Sequence, residues 1–394
     1  MRILRSANTP FFMLHLLGSQ MRAEMAAGHE VFVAAGQGDG ADELGRLLGG
    51  RLIEIHVPRD IEPWADLKAL WSIYRLMRRL RPDIAHSTTP KSGLLFAIAA
   101  FLAFVPIRLH TFTGQPWVEM RGLRRFITRA CDRLIVMLNT QNYCDSPSQQ
   151  RLLESEGIAA PGRVRVVGAG SLSGVDVVKF VQPTAEERAA ARASLGLSAG
   201  ARAIAFVGRI TKEKGVVELL DAFDLLKKDL PDLHLFLIGP FDSRAELPPE
   251  QLRRARQTRD VHAVGYTPTP EKILAGVDVL ALPSYREGFG NVVIEAAVMG
   301  IPTIGTCING LIDAVADGET GMLVPVRDAA ALAAALKTIL TDDALRQRMG
   351  AAARERALRL FAADRISALV LAEYERLAKR KKLPPGGRDQ RGNA

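Results

Sequence analysis

The sequence predicts an α/β fold built from two doubly wound halves, each a parallel sheet covered by helices. Three observations lead there. Short β-branched runs alternate with amphipathic helix patterns along both halves of the 394 residues, the rhythm of parallel strands joined by crossover helices. A glycine- and serine-rich stretch, Gly168-Ala-Gly-Ser-Leu-Ser-Gly174, separates the two rhythms and sets a hinge at about residues 168–182. With 48% hydrophobic and 24% charged residues, the chain is long enough for two cores and too apolar for disorder.

Taken in order, the strand candidates of the first half are residues 2–4, 30–34, 52–56, 84–86, 107–112, 133–137 and 164–167. The longest apolar run, 94–105, ends at Pro106. It falls short of the roughly 20 residues a bilayer span needs and reads as a buried or interface-lying helix. The second half repeats the pattern with strands at 203–207, 234–238, 261–264, 277–282, 302–305 and 321–324. A helix over 363–379 finishes the fold, and the basic, proline- and glycine-rich tail beyond it reads as frayed. The expected domains are therefore 1–175 and 176–365, followed by a closing helix over 366–380 that packs back on the first domain, and a flexible tail over 381–394.

Composition narrows the function. The three cysteines, Cys131, Cys144 and Cys307, are far apart and show no metal-ligand spacing, which fits a reducing compartment without structural zinc. The chain opens on a strand pattern rather than the apolar core of a signal peptide, so a cytoplasmic setting is expected. A net charge of +9 raises nucleic acid as a partner, but the arginines are spread along helices with no recognition module beside them, and no nucleic acid is expected. Basic clusters do recur beside apolar stretches: Arg75, Arg78, Arg79 and Arg81 on one helix, and Arg121, Arg124, Arg125, Arg129 and Arg133 on another. An anionic membrane surface fits them better, with plain solvated helix faces as the alternative.

The chemistry concentrates in Tyr285-Arg-Glu-Gly-Phe-Gly-Asn-Val-Val-Ile-Glu295. A strand pattern stops at Pro283-Ser284, a glycine turn follows, and a helix pattern begins near Asn291. Glu287 falls on the loop and Glu295 on the first turns of the helix. Between them the backbone N–H groups of Phe289, Gly290 and Asn291 lack helical partners and sit at the positive end of the helix dipole, so the segment suits an anion. A phosphate flanked by two acids points to a sugar nucleotide, whose hydroxyl pairs can donate to the carboxylates. The plainer alternative makes Glu295 a dipole-compensating acid and Glu287 a solvated loop charge.

A second anion signal follows the first strand of the second half, Val207-Gly-Arg-Ile-Thr-Lys-Glu-Lys-Gly215. Gly208 admits close approach of a ligand, and Arg209 and Lys214 supply fixed positive charge for a diphosphate. In parallel sheets ligands bind beyond the carboxyl ends of the strands, where both signals lie. Neither the G-x-G-x-x-G pattern of dinucleotide-binding folds nor a P-loop is present.

Together these residues resemble the retaining family 4 glycosyltransferases of the GT-B fold, whose E-x7-E motif is matched by Glu287 and Glu295. Further likeness lies in Gly28-His-Glu-Val31, Arg81-Pro-Asp-Ile84, Lys91-Ser-Gly, Gly174-Val-Asp176, Val207-Gly-Arg209 with Lys214-Gly215, Gly265-Tyr266, Leu282-Pro-Ser284 and Asp317-Gly-Glu-Thr-Gly. The resemblance implies two Rossmann-like domains facing across a cleft, an acceptor-binding one and then a nucleotide-sugar-binding one. It implies that Arg209 and Lys214 stabilise a departing diphosphate with the amides at 289–291, that Glu287 holds sugar hydroxyls and Glu295 ribose hydroxyls, and that Gly265-Tyr266 borders the base. It calls for a UDP-sugar as donor substrate and for no metal or other cofactor.

Two departures stand out. Many members carry Thr-x-His-Gly where this chain has Thr111-Phe-Thr113-Gly114, with His110 just upstream; a buried core histidine is the competing account of His110. Many also carry a Gly-Gly loop where this chain has Asn8-Thr9-Pro10, with His15 beyond. Members acting on polyprenyl-diphosphate-linked saccharides look similar here. The candidate acceptor-side residues are accordingly Asn8, Thr9, His15, Lys91, His110, Thr113 and Gly114. The expected activity is transfer of a hexose or N-acetylhexosamine to a lipid-linked glycan with retention, in polysaccharide, O-antigen or glycoprotein-glycan assembly at the inner face of the cytoplasmic membrane. A UDP-N-acetylglucosamine 2-epimerase-type isomerase and a non-catalytic sugar-nucleotide or membrane-binding subunit are the alternatives.

Overall fold

In the computed structural model, which describes residues 1–58, 62–242 and 246–383, thirteen strands form two all-parallel sheets. The first holds β1 (Arg2–Ser6), β2 (Glu30–Ala35), β3 (Leu52–Glu54), β4 (Ile84–Ser87), β5 (Ile107–Phe112), β6 (Gln141–Cys144) and β7 (Val164–Val166). Their order is β3-β2-β1-β4-β5-β6-β7, so the chain winds outward one way from β1, returns, and winds outward the other way from β4. The second holds β8 (Arg202–Val207), β9 (Leu233–Ile238), β10 (Val261–Gly265), β11 (Val279–Leu282), β12 (Thr303–Thr306) and β13 (Gly321–Val324), in the order β10-β9-β8-β11-β12-β13. Both are the doubly wound sheets that the alternating pattern predicts.

The helices are α1 (Pro10–Ala26), α2 (Ala41–Leu47), α3 (Pro63–Leu80), α4 (Pro90–Leu102), α5 (Gly122–Leu138), α6 (Pro147–Ser155), α7 (Ala185–Ser194), α8 (Val216–Lys227), α9 (Pro249–Gln257), α10 (Pro270–Leu274), α11 (Asn291–Val298), α12 (Leu311–Ala314), α13 (Ala329–Thr341), α14 (Asp343–Phe361) and α15 (Ala363–Arg380). Proline stands at the first turn of α1, α3, α4 and α6, where its missing N–H costs nothing. Thr9 caps α1 by accepting from Phe12 N, and Thr184 forms a capping box with Glu187 on α7.

One strand departs from the sequence reading. Residues 133–137, expected as a strand, are the last turns of α5, with Ile135 and Val136 buried and Leu134 and Met137 outward. The sixth strand is instead Gln141–Cys144, whose polar residues hide it from any hydrophobic pattern. It is buried because its groups are satisfied internally: Asn142 Nδ2 donates to Val136 O (3.3 Å), and Tyr143 donates to Glu373 (2.7 Å).

The chain divides into two units, one of Met1–Gly174 with the segment that begins at Ala363, the other Val175–Ala362. The closing helix thus starts at Ala363, and residues 384–394 of the expected tail fall outside the described residues. In the first unit α15 packs on α1 and sends Val370, Tyr374 and Leu377 into a cluster with Ile3, Ile84 and Ile107. Tyr374 also closes a buried polar network. Arg5 Nε donates to Glu24 (3.0 Å), Arg5 Nη2 to Gln20 (2.9 Å) and to the Tyr374 hydroxyl (2.9 Å), and that hydroxyl meets His86 Nδ1 at 2.6 Å. Arg5 and Glu24 are both about 1% exposed, so each charge depends on the other. Glu24→Ala leaves the guanidinium buried without its counter-ion and is expected to lower the stability of this unit by about 3–5 kcal/mol in urea unfolding; a loss under about 1 kcal/mol would show the pair to be dispensable.

Candidate functional site

The second unit gathers its chemistry at the carboxyl ends of β8 and β11. Two glycines make this possible. A side chain at Gly215 (φ 71°) would meet Pro283 O at 1.9 Å, and one at Gly310 (φ 91°) would meet Gly288 O at 2.7 Å. The loop after β8 and the loop after β12 therefore close on the 283–290 segment from two sides. Thr306 donates to Ser284 O, and Tyr285 N donates to Glu213 O (2.9 Å), locking the same junction.

Lys214 Nζ donates to Glu287 Oε1 at 2.6 Å, and Ser284 Oγ donates to the same oxygen at 2.8 Å. Both charged side chains are less than one-fifth exposed, so the pair is only partly screened by water. Lys214 is held within reach by Gly215 itself, which ends a short 3₁₀ turn over Lys212–Lys214 and starts α8 in the left-handed region. Arg209 lies on the same loop but is half exposed, donating to Asp242 (2.5 Å) and Glu213 (3.0 Å). Glu213 also pairs with Arg286 at 3.2 Å and so holds two guanidinium groups beside the Lys214–Glu287 pair.

α11 begins at Asn291 with Gly290 (φ 91°) as its cap, a residue with no side chain of its own to cap that end. The Phe289 side chain is buried against Phe361, ring centroids 5.1 Å apart, which pins the loop. Glu295, one turn into α11, is partly buried, and among the described residues it takes no hydrogen bond or ion pair. Burial pushes its carboxyl up to about 7, opposed by Lys179 and assisted by Glu271. Gly208 (φ 152°) lies against Gly239, where a side chain would meet Gly208 O at 2.0 Å, and Gly239 N donates to Gly265 O at 2.8 Å. Gly208 and Gly265 are thus joined through a third glycine that the motif search missed, and Tyr266 follows them, exposed.

Residues of the first unit group at the carboxyl ends of β1, β4 and β5. Thr89 Oγ1 donates to Asn8 Oδ1 at 2.9 Å and meets Ser92 Oγ at 2.6 Å, and Thr113 Oγ1 reaches Thr88 O at 3.4 Å. Thr9 is spent on capping α1. Lys91 pairs with Asp66 at 2.7 Å, His15 packs its ring at a tilt against Phe11 on the exposed face of α1, and Gly114 takes a φ of 126° that a side chain would strain. His110 does not belong with them. It is fully buried on β5, with Nδ1 2.9 Å from Ser87 Oγ and its ring where a side chain at Gly93 would stand, and desolvation lowers it to about 3. It is a neutral core residue, which corrects its place among the acceptor-side candidates. Asp145, at the end of β6, was missed: it is buried, its Oδ1 has no hydrogen-bond partner among the described residues, and desolvation raises its carboxyl to about 8.

Comparison with known proteins fits this arrangement to a family. The family model for glycosyl transferases group 1 matches residues 187–356, and that for a glycosyl transferase 4-like domain matches residues 16–170. A D-inositol 3-phosphate glycosyltransferase of a Nocardioides species is 34% identical over 325 residues, which cover 75% of this chain and 67% of that protein. The chain belongs to the glycosyl transferases group 1 family. Another member, the capsular polysaccharide biosynthesis glycosyltransferase CapM of Staphylococcus aureus, is 29% identical over 79% of this chain and 81% of its own length. Other D-inositol 3-phosphate glycosyltransferases align over little more than half of their length. Among solved folds, the sucrose-phosphate synthase of Thermosynechococcus elongatus superposes with a TM-score of 0.79 at 22% identity, covering 96% of this chain and 100% of that one. HepE of Anabaena, in complex with UDP-glucose, superposes at 0.78 with 17% identity, covering 95% and 99%. The two Rossmann-like units are those of the GT-B glycosyltransferases.

The raised Glu295 carboxyl has a measurable sign. Its ordinary value is 4.5 and its folded value about 7, so between those values the folded protein holds a proton that the unfolded chain has lost. Stability contributed by this group is full below 4.5 and falls as pH rises toward 7. Glu295→Gln is expected to flatten that part of the stability profile of the second unit; an unaltered slope would mean that the carboxyl titrates normally.

Proposed function

We propose that this glycosyltransferase moves a hexose or N-acetylhexosamine from a UDP-sugar to a hydroxyl of a lipid-linked saccharide, with retention at the anomeric carbon. The observation that carries the reading is the Lys214–Glu287 contact of 2.6 Å beside the glycine-capped start of α11. It joins a cation for a diphosphate to a carboxylate for hydroxyls in one place. HepE, solved with UDP and with UDP-glucose, supports the donor class, and CapM, named for capsular polysaccharide biosynthesis, supports a glycan product.

In this mechanism the diphosphate of the donor lies against the amides at 289–291 and draws Lys214 partly away from Glu287. The freed carboxylate then accepts from sugar hydroxyls. Lys214, with Arg209 nearby, meets the charge that grows on the departing diphosphate, and being preorganised these groups cost little reorganisation as the bond breaks. Glu295, which has no partner among the described residues, accepts from the ribose hydroxyls, which favours its ionised form and returns its proton to water. Asn8, Thr113 and the backbone at Gly114 supply polar groups for an acceptor, and none of them titrates near neutral pH. The proton of the acceptor hydroxyl is assigned to the leaving phosphate, consistent with retention. No metal is required, because cationic side chains and amides offset the diphosphate charge.

Glu287→Gln is expected to lower turnover by on the order of a hundredfold or more, as loss of one preorganised polar contact does; unchanged turnover with UDP-sugar and lipid-linked acceptor would remove Glu287 from the reaction. Lys214→Ala is expected to weaken UDP binding in calorimetry without acceptor, and equal affinity would remove Lys214 from the diphosphate site. Sugar released to the nucleotide pool as an isomer, without any acceptor, would favour the epimerase alternative.

A further inference from the structure

The outward face of α3 is unlike the other helix surfaces. Trp64, Leu67, Trp71, Arg75 and Arg78 follow one another at spacings of three and four residues, which keeps them on a single stripe. The opposite side of the helix, Ala69, Ile73, Leu76 and Met77, fills the core, so the stripe faces solvent. Trp64 is 80% exposed and Trp71 59%, high for side chains of that size, and Trp71 stacks on Tyr74 with ring centroids 5.5 Å apart. Beside them an open groove of about 660 Å³ runs between α3 and the edge strand β3. Among the described residues its charged lining is Arg75, Arg78, Arg79 and one carboxylate, Glu54. Among the described residues none of the three arginines has a hydrogen-bond or ion-pair partner. Three guanidinium groups without an ion-pair partner among the described residues stand beside exposed indole rings, so the stripe is apolar at one end and cationic at the other.

We propose that this face docks on a bilayer carrying anionic phospholipid, with the groove between α3 and β3 taking a headgroup phosphate. The reading deepens that of a lipid-linked acceptor and rests on it. Indole and aliphatic side chains settle at the level where headgroups meet acyl chains, and guanidinium forks match phosphate oxygens in pairs. The charge fits this occupant: three cations against one acid in the groove, on a chain of net charge +9. α5 adds to the surface. It lies in the same helical layer, with α4 between, and Leu123, Phe126, Ile127 and Met137 stand exposed on the side opposite its buried Asp132, Ile135 and Val136.

The test uses the full chain with vesicles of phosphatidylcholine alone or mixed with phosphatidylglycerol. Trp64, Trp71 and Trp117 are the three tryptophans of the sequence, and Trp117 is fully buried. A blue shift of emission on adding vesicles therefore reports Trp64 and Trp71. The expected result is a blue shift and co-sedimentation with the mixed vesicles only. The combined Arg75→Ala, Arg78→Ala and Arg79→Ala variant should bind on the order of a hundredfold more weakly, from about fivefold per basic residue. UDP affinity should be unchanged, because the arginines are exposed, unpartnered and outside the unit that holds the donor site. Trp64→Ala with Trp71→Ala should weaken binding on its own, as a second variant that leaves the charge intact. Mixed-vesicle binding by the parent that survives both sets of substitutions overturns the α3 assignment and leaves the lipid-linked reading standing. No binding by the parent to any vesicle overturns both. Saturation of the groove by inorganic phosphate in the absence of lipid, or a dimer that these substitutions dissolve, overturns the lipid as its occupant.

Discussion

The candidate site of the second unit depends on how closely two stretches of backbone approach at Gly215. No side chain fits there, since its first carbon would stand 1.9 Å from the Pro283 carbonyl. That exclusion lets the loop after β8 lie on the loop after β11 and sets Lys214 and Glu287 within 2.6 Å. The contact at Gly310 performs the same service from the far side. Two glycines that touch no ligand therefore determine where the charges are, and the charged residues themselves are exchangeable only within that frame.

Local charge balance follows from the same frame. Glu213 holds Arg209 and Arg286 together, and Glu287 holds Lys214, so the cations of this region are already compensated by carboxylates. An arriving diphosphate must compete for those cations rather than meet them bare. This lowers raw affinity but favours a ligand that brings its own hydroxyl donors for the displaced carboxylates, a source of selectivity for sugar nucleotides over simple phosphates. Asp278 illustrates the opposite use of an acid: buried at the start of β11, it accepts from Ala203 N and Arg188 and serves the fold rather than the site.

Much of the fold was legible because parallel sheets are buried on both faces, so their strands read as continuous apolar runs. Where that premise failed, so did the reading. Gln141–Cys144 is a buried strand made of groups that satisfy one another, while 133–137 is a mostly apolar run at the end of a helix, with Ile135 and Val136 covered and Leu134 and Met137 outward. The site divides the same way. Glu287, Glu295, Arg209 and Lys214 were legible as candidates because they stand beside glycine turns at strand ends, and the structure places Lys214 and Glu287 in direct contact. The direct pairing of Lys214 with Glu287, the bridging Gly239, and the buried Asp145 were not visible, since each depends on which loops become neighbours after folding. His110 carried two readings, an acceptor-side candidate and a buried core histidine, and its side chain points into the core beneath Gly93, as the second reading has it.

The hydroxyl of Tyr374 touches both Arg5 and His86, although 369 residues separate it from the first. Everything between Gly174 and Ala363 belongs to the other unit. During synthesis the ribosome must therefore release the whole second unit before α15 can complete the first. Until then Arg5 lacks the Tyr374 hydroxyl and keeps only Glu24 and Gln20, and the apolar side chains that Val370, Tyr374 and Leu377 will cover stay open to water. The amino-terminal half is thus the first to be made and the last to mature, with an interval in which chaperone surfaces have something to hold.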